Sequence, residues 1–116
     1  MPLKSLAWSG SALDDLKAFP EDARQRAGFE LYRLQQGLEP TDWKPMTTVG
    51  AGVREIRIQT GRAFRVLYVP KFAEAVYVMH AFEKRTRKTP PHELKLARDR
   101  YRALMNERRA DDAKSK

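Results

Sequence analysis

Apolar and polar positions alternate most regularly over residues 53–89, and the rest of the chain is organised around that stretch. Three runs, 53–59, 63–69 and 75–82, are rich in Val, Ile, Phe and Tyr and are bounded by Gly, Pro or charge, as β-strands are. The links between them, through Thr60-Gly61 and Pro70-Lys71-Phe72, are too short for a parallel return, which needs a dozen or more residues. The pattern predicts an antiparallel three-stranded meander. Upstream, Leu6 and Trp8 share one face of a short strand within residues 3–8. Ser11, three residues before Asp14, resembles a capping box with Asp in place of Glu, and Leu13, Leu16 and Phe19 give the stripe of a short helix ended by Pro20. The same proline suits the first position of a second helix, with Glu21 and Asp22 at the positive end of its dipole. Ala23, Ala27, Leu31 and Leu34 continue that helix on one face, and Gly37 stops it.

Residues 38–52, with Pro40, Pro45, Gly50 and Gly52, read as a connector, with Trp43 packing over an edge of the core. Gly50-Ala51-Gly52 lacks the spacing of a phosphate loop. After the meander, Thr89 and Pro90 mark a helix start. Leu94, Ala97, Tyr101 and Leu104 form its apolar face, and Lys95, Arg98, Asp99 and Arg102 lie largely opposite. From about Arg109 the chain is polar and is expected to fray. The predicted order is β-α-α-β-β-β-α. It describes an α+β domain over residues 1–116, a small meander sheet with a helical hairpin on one face and a closing helix.

The 116 residues suit one domain, and a hydrophobic fraction of 41% suffices for one modest core. There is no cysteine, which excludes disulfides, thiolate metal sites and a cysteine nucleophile and fits a reducing cytoplasm. Neither a membrane span nor a signal peptide is expected. The net charge of +8 is concentrated in the meander. Residues 53–89 hold nine Lys/Arg against three Asp/Glu. Such a surface suits a polyanion, with nucleic acid the usual one.

Period two assigns faces. Phe64, Val66 and Tyr68, with Ile56 and Ile58, belong against the helical hairpin, and this puts Arg57 and Arg65 together on the opposite, more open face. In the third strand Val76, Val78, His80 and Phe82 fall on one side and Tyr77, Met79 and Ala81 on the other, both apolar enough to leave its facing open. The basic run Glu83-Lys84-Arg85-Thr86-Arg87-Lys88 follows directly. Together these residues form a cationic surface able to track a phosphate backbone. Arg54, Arg62, Arg87 and Lys88 add RNA-binding candidates around it. The competing reading is a solvated loop and surface arginines paired with Glu55 and Glu83. The two histidines have no ligand spacing, so a metal site is not expected.

Gly52-Val53-Arg54-Glu55-Ile56-Arg57, then Phe64-Arg65-Val66-Leu67-Tyr68, then His80-Ala81-Phe82-Glu83-Lys84-Arg85-Thr86-Arg87-Lys88-Thr89-Pro90 resemble the signature of the phage-derived, HigB-like branch of the RelE toxin superfamily. That branch shows a Glu-hydrophobic-Arg, an aromatic-Arg before a hydrophobic strand, and a His-x-Phe-x-Lys-Lys-Thr-x-Lys-Thr, whose second lysine is Arg85 here. The resemblance implies a RelE-like fold and the toxin of a type II toxin–antitoxin pair, a ribosome-dependent mRNA endonuclease in the cytoplasm. The RNA 2′-hydroxyl would attack the adjacent phosphate without metal or cofactor. The partners implied are the ribosome, mRNA and an antitoxin of helix-turn-helix type, with no membrane. By the same resemblance Arg57, Arg65, Lys84 and Arg85 are the catalytic candidates, while His80, His92 and Tyr101 are weaker acid/base candidates. A non-catalytic basic module binding nucleic acid or a phage protein is the alternative, and a fold that has lost its activity is a third.

Overall fold

The computed structural model describes residues 2–115. Its elements run β1 (Ser5–Trp8), α1 (Ala12–Lys17), α2 (Glu21–Gln35), β2 (Trp43–Pro45), β3 (Arg54–Gln59), β4 (Ala63–Val69), β5 (Ala75–Glu83) and α3 (Pro91–Ser115). The fold is α+β and consistent with a RelE-like one. The predicted meander is β3-β4-β5, paired antiparallel throughout. Two further strands extend it to a five-stranded mixed sheet in the order β1-β5-β4-β3-β2. β1 joins β5 in parallel, because the chain passes through the α1–α2 hairpin before returning to the sheet. β2 lies within the stretch read as a connector. It has only three residues, too few to show alternation, and pairs Trp43 with Ile56 and Lys44 with Glu55. Trp43 does sit at the sheet edge, under the Arg54 guanidinium at 4.2 Å.

Helix boundaries differ from the pattern by a residue or so. Pro20 is the N-cap of α2 rather than its first turn, and α3 begins at Pro91 rather than Pro90. Ser11 caps α1 without the expected box. Its hydroxyl donates to Asp15 instead of the backbone. The β3–β4 hairpin turns at Gly61, whose φ of +90° is a conformation L side chains rarely adopt. α3 continues helical through the polar segment expected to fray. Arg108 anchors that part, donating to both carboxylate oxygens of Glu74 at 3.0 and 3.3 Å and stacking over Phe72 at 3.5 Å.

Two apolar clusters sandwich the sheet. Against the hairpin, Ala12, Leu16, Phe19, Ala23, Ala27, Leu31 and Leu34 cover Ile56, Ile58, Phe64, Val66, Tyr68, Val76, Val78 and Ala81. On the other face, Leu94, Ala97 and Tyr101 of α3 close over Val53, Leu67, Val69, Met79 and Phe82. β5 serves both because of a bulge. Tyr68 faces Val78 and Leu67 faces His80, so Met79 is an extra residue and the alternation changes phase there. This settles the facing the sequence left open. Val76, Val78 and Ala81 look toward the hairpin, while Tyr77, Met79 and Phe82 join the α3 cluster. The face expected to be open is therefore half covered. α3 roofs its apolar end and leaves the charged end beside β2.

Candidate phosphate-binding site

The uncovered part of the α3 face is built from strand register. Arg57 stands opposite Arg65, and Glu55 stands opposite Leu67 on one side and Lys44 on the other, so Glu55, Arg57, Arg65 and Lys44 share the face. Lys84, the first residue after β5, is held there by its backbone N–H, which donates to the Ala63 carbonyl at 2.8 Å. Four cations thus share a face with one buried carboxylate, and two of them, Lys44 and Arg65, approach it within 4 Å. The Glu55 side chain is 1% exposed and that of Arg65 12%. Arg65 Nε lies 3.4 Å from Glu55 Oε1, and Lys44 Nζ lies 3.8 Å from it. Neither Glu55 oxygen nor Arg65 Nε has a hydrogen-bond partner. The Arg65 fork is held instead by Nη1, which donates to the Phe64 carbonyl at 3.0 Å.

Arg65 was expected on a water-exposed face, with an ion pair to Glu55 as its structural role. The pair exists, and it is buried. Arg57 keeps more freedom. Its Nε and Nη2 both donate to Asp42 Oδ1, at 3.0 and 2.8 Å, in a pair open to solvent. Such pairs are worth about 0–1 kcal/mol, little enough for a phosphate to displace. Lys84 is pushed below the ordinary lysine range, first by burial and then by Arg65, with Lys44 and Arg57 adding to the effect and Glu55 opposing it. An amine so placed sheds its proton more readily than a surface lysine.

Arg85 and Arg62 do not join this cluster. Glu83 pairs with Phe64 on the hairpin side of the sheet, and it draws both arginines to that side, with Arg62 Nη2 at 2.7 Å and Arg85 Nη2 at 3.1 Å. They line a separate cleft between α1, the end of β5 and the start of α3, about 570 Å³ in volume. Arg54, opposite Tyr68, also lies on the hairpin side, with Glu39 as its ion-pair partner at 3.5 Å. Arg87 and Lys88 are exposed in the loop before α3. Of the acid/base candidates, His80 is buried, with Nε2 3.0 Å from Glu93 and its ring stacked on Phe82. His92 is exposed beside the same Glu93. Tyr101 has a packing role. Its hydroxyl donates to the Ala51 carbonyl at 2.8 Å, and its ring lies so close over Gly50 that a Cβ there would sit 2.5 Å from it.

Sequence reasoning missed Lys44, because β2 is too short to announce itself. It also gave Glu55 no role beyond a surface partner. The one clue to Glu55 was its place between two residues whose alternation puts it on the same face as Arg57 and Arg65. Among the described residues no group of His, Asp and Glu is arranged to hold a metal, and no helix is long and apolar enough to cross a membrane.

A surface with two arginine forks, two lysines and one buried counter-charge can bind a phosphodiester through paired N–H donors and neutralise charge that develops on it. A family model described as "Phage derived protein Gp49-like (DUF891)" matches residues 14–102, from α1 well into α3, and takes in all four cations and Glu55. No curated protein is significantly similar to the chain. With most of its length matched, the chain belongs to this Gp49-like family of phage-derived proteins, in general a family of RelE/HigB-like toxins.

Proposed function

We propose that the protein is the toxin of a type II toxin–antitoxin pair and acts as a ribosome-dependent, metal-independent mRNA endonuclease. The observation that carries this reading is the grouping of Lys44, Arg57, Arg65 and Lys84 on one half-open face around a single carboxylate. The 2′-oxygen of the RNA would bond to the adjacent phosphorus as the bond from phosphorus to the 5′-oxygen breaks. This leaves a 2′,3′-cyclic phosphate on one fragment and a 5′-hydroxyl on the other. Arg65 and Arg57 hold the non-bridging oxygens, which gain negative charge in the transition state. Lys84, with its proton loosened by burial and by Arg65, is the group suited to give a proton to the departing 5′-oxygen, while water takes the proton of the 2′-hydroxyl. His80 and Tyr101 are committed to structural contacts, so no other candidate on this face competes for that role. The exposed carboxylate beside the site, Asp42, is engaged by Arg57, so no carboxylate or histidine among the described residues of this face stands free as a base. The ribosome then has to orient the 2′-hydroxyl, an effect that can reach about 7–11 kcal/mol.

Inducing the chain alone in a bacterium should arrest growth and cut messages within translated regions. Co-expression of the antitoxin, sought in the neighbouring reading frames, should restore growth. With purified components, ribosome-bound message should be cut efficiently and naked RNA barely at all. Normal growth at good soluble expression would sink the toxin reading and leave a non-catalytic RNA-binding module. Equal cutting of both substrates would refute ribosome dependence.

A further inference from the structure

The proposed reaction gives no part to Glu55 or to Lys44 beside it, and the surroundings of Glu55 are unusual. Both carboxylate oxygens are buried and without a hydrogen bond, and so is the Arg65 Nε that faces them. A carboxylate kept for stability alone would be expected to accept hydrogen bonds, since an ion pair taken out of water stabilises little without them. A general base would need to reach the 2′-hydroxyl, and neither oxygen is accessible. The groups that face it come from every neighbouring element: Lys44 on β2, Arg57 on its own strand, Arg65 on β4 and Lys84 after β5. The nearest other titratable group on β5, His80, has its own partner in Glu93.

We infer that Glu55 is a positioning residue, a hidden counter-charge that aims the Arg65 guanidinium and balances the cations on its face while its own oxygens stay away from the substrate. The inference rests on the endonuclease reading for its role in catalysis, but its physical core stands apart from it. Lys44, Arg57, Arg65 and Lys84 share one buried carboxylate, Glu55, while Arg57 has a second, exposed one in Asp42. The other three cations work against the charge of Lys84, and Glu55 favours it. Across the strand pair, the same carboxylate sits 3.4 Å from Arg65 Nε. Removing the charge while keeping the shape should therefore release Lys84's proton at lower pH and free the Arg65 fork to rotate.

The test is Glu55→Gln, read first by NMR titration of the Lys84 side chain in the purified protein with no RNA present. The expected result is a Lys84 midpoint lower by about one pH unit, as loss of a nearby opposite charge produces. In the ribosome-dependent reaction the limb of the pH profile set by Lys84 should move down by the same amount, and the unaimed Arg65 fork should separately cost roughly tenfold in cleavage near neutral pH. An unmoved Lys84 titration overturns the inference whatever the activity does. If the wild-type chain cuts no message, the endonuclease reading falls, and the titration still decides whether Glu55 governs the cluster. Should the variant fail to fold, Glu55→Asp, which keeps the charge but draws it back by one carbon, gives the answer: Lys84 should titrate at lower pH than in the wild type, and an unmoved midpoint overturns the proposal.

Discussion

Toward the helical hairpin, β3 and β4 present Ile56, Ile58, Phe64, Val66 and Tyr68, each almost fully buried. Toward α3, the same two strands present Leu67 beside Glu55, Arg57 and Arg65. Both faces are largely removed from water, but they are closed by different means. The first is closed by a continuous apolar surface, and any cation there would be expensive. The second is closed at one end by α3 and at the other holds cations gathered around one buried carboxylate. The difference teaches that burial alone does not separate scaffold from site in this fold. Glu55 is as buried as Ile58. What separates them is whether the buried polar atoms have found partners, and on the α3 face several have not.

Arg65→Ala probes the charged face and carries the largest expected effect. On the endonuclease reading, cleavage falls by about a hundredfold or more, as loss of a transition-state donor does. The melting temperature falls too, because Glu55 loses its nearest partner. Breaking a buried pair costs up to about 3–5 kcal/mol, with Lys44 at 3.8 Å offsetting part of it. Arg65→Lys should restore charge and some stability but not two-pronged binding, so only part of the rate. Arg62→Ala, on the hairpin side with Glu83, should keep its toxicity. If Arg65→Ala cuts at the wild-type rate, the α3 face is not where phosphate binds.

Ile56→Ala tests the other half of the comparison. It removes a fully buried side chain from the hairpin face, one residue from Glu55. The expected loss is about 2–5 kcal/mol of stability by denaturant titration. Because Ile56 points away from the cluster, the folded fraction should cut message at the wild-type rate and the Lys84 titration should not move. A shifted Lys84 would show that the two faces are coupled through the strand.

Much of this division was legible in the sequence. Period two assigned Ile56, Ile58, Phe64, Val66 and Tyr68 to one face and Arg57 and Arg65 to the other, because one-sided burial imposes strict alternation. β5 resisted the same treatment, since the bulge at Met79 breaks the phase and a bulge leaves no mark in composition. The burial of Glu55 and Arg65 was hidden for another reason. Alternation reports which face a residue occupies and says nothing of what covers that face. The neighbours of those two residues there, Lys44 beside Glu55 and Phe82 beside Arg65, are distant in sequence. Arg85 shows a related limit. The basic run after β5 reads as one patch, yet Lys84 and Arg85 point to opposite sides and Glu83 captures the second.

Acid should reveal a smaller effect at the borders of the two faces. Glu83, bonded to Arg62 and Arg85 on the hairpin side, and Glu74, bonded to Arg108 and Tyr77 under α3, are both held down from 4.5 to about 2. A depressed folded pKa stabilises the protein fully above the unfolded value and ceases to do so as protons return. The contribution is therefore present above about pH 4.5 and is lost as pH falls toward 2. Melting temperatures measured across that window should decline, and the double variant Glu74→Gln, Glu83→Gln should decline less. An equal slope would mean that these surface pairs are screened and that acid acts elsewhere.

The smallest effect is expected at Tyr68, the one place where the hairpin face carries an unpaired polar atom. Its ring is fully buried among Ile56, Val66 and the residues of α2, and its hydroxyl has no hydrogen-bond partner. Burial pushes its ionisation far above the ordinary phenol range, against the pull of the nearby Arg54. A hydroxyl in that position costs desolvation without returning a bond. Tyr68→Phe deletes the costly atom and leaves the ring packing intact, so stability should stay within about 1 kcal/mol of wild type or rise slightly. The contrast with Glu55→Gln sharpens the difference between the faces. Both changes act on a buried, unpartnered polar group, yet only the one on the α3 face should alter Lys84 or the cleavage profile. A clear loss of stability in Tyr68→Phe would reveal a bond to the hydroxyl, with Arg54 the nearest donor. The hairpin face would then carry a satisfied polar contact of its own, and unpaired buried polar atoms would mark the α3 face alone.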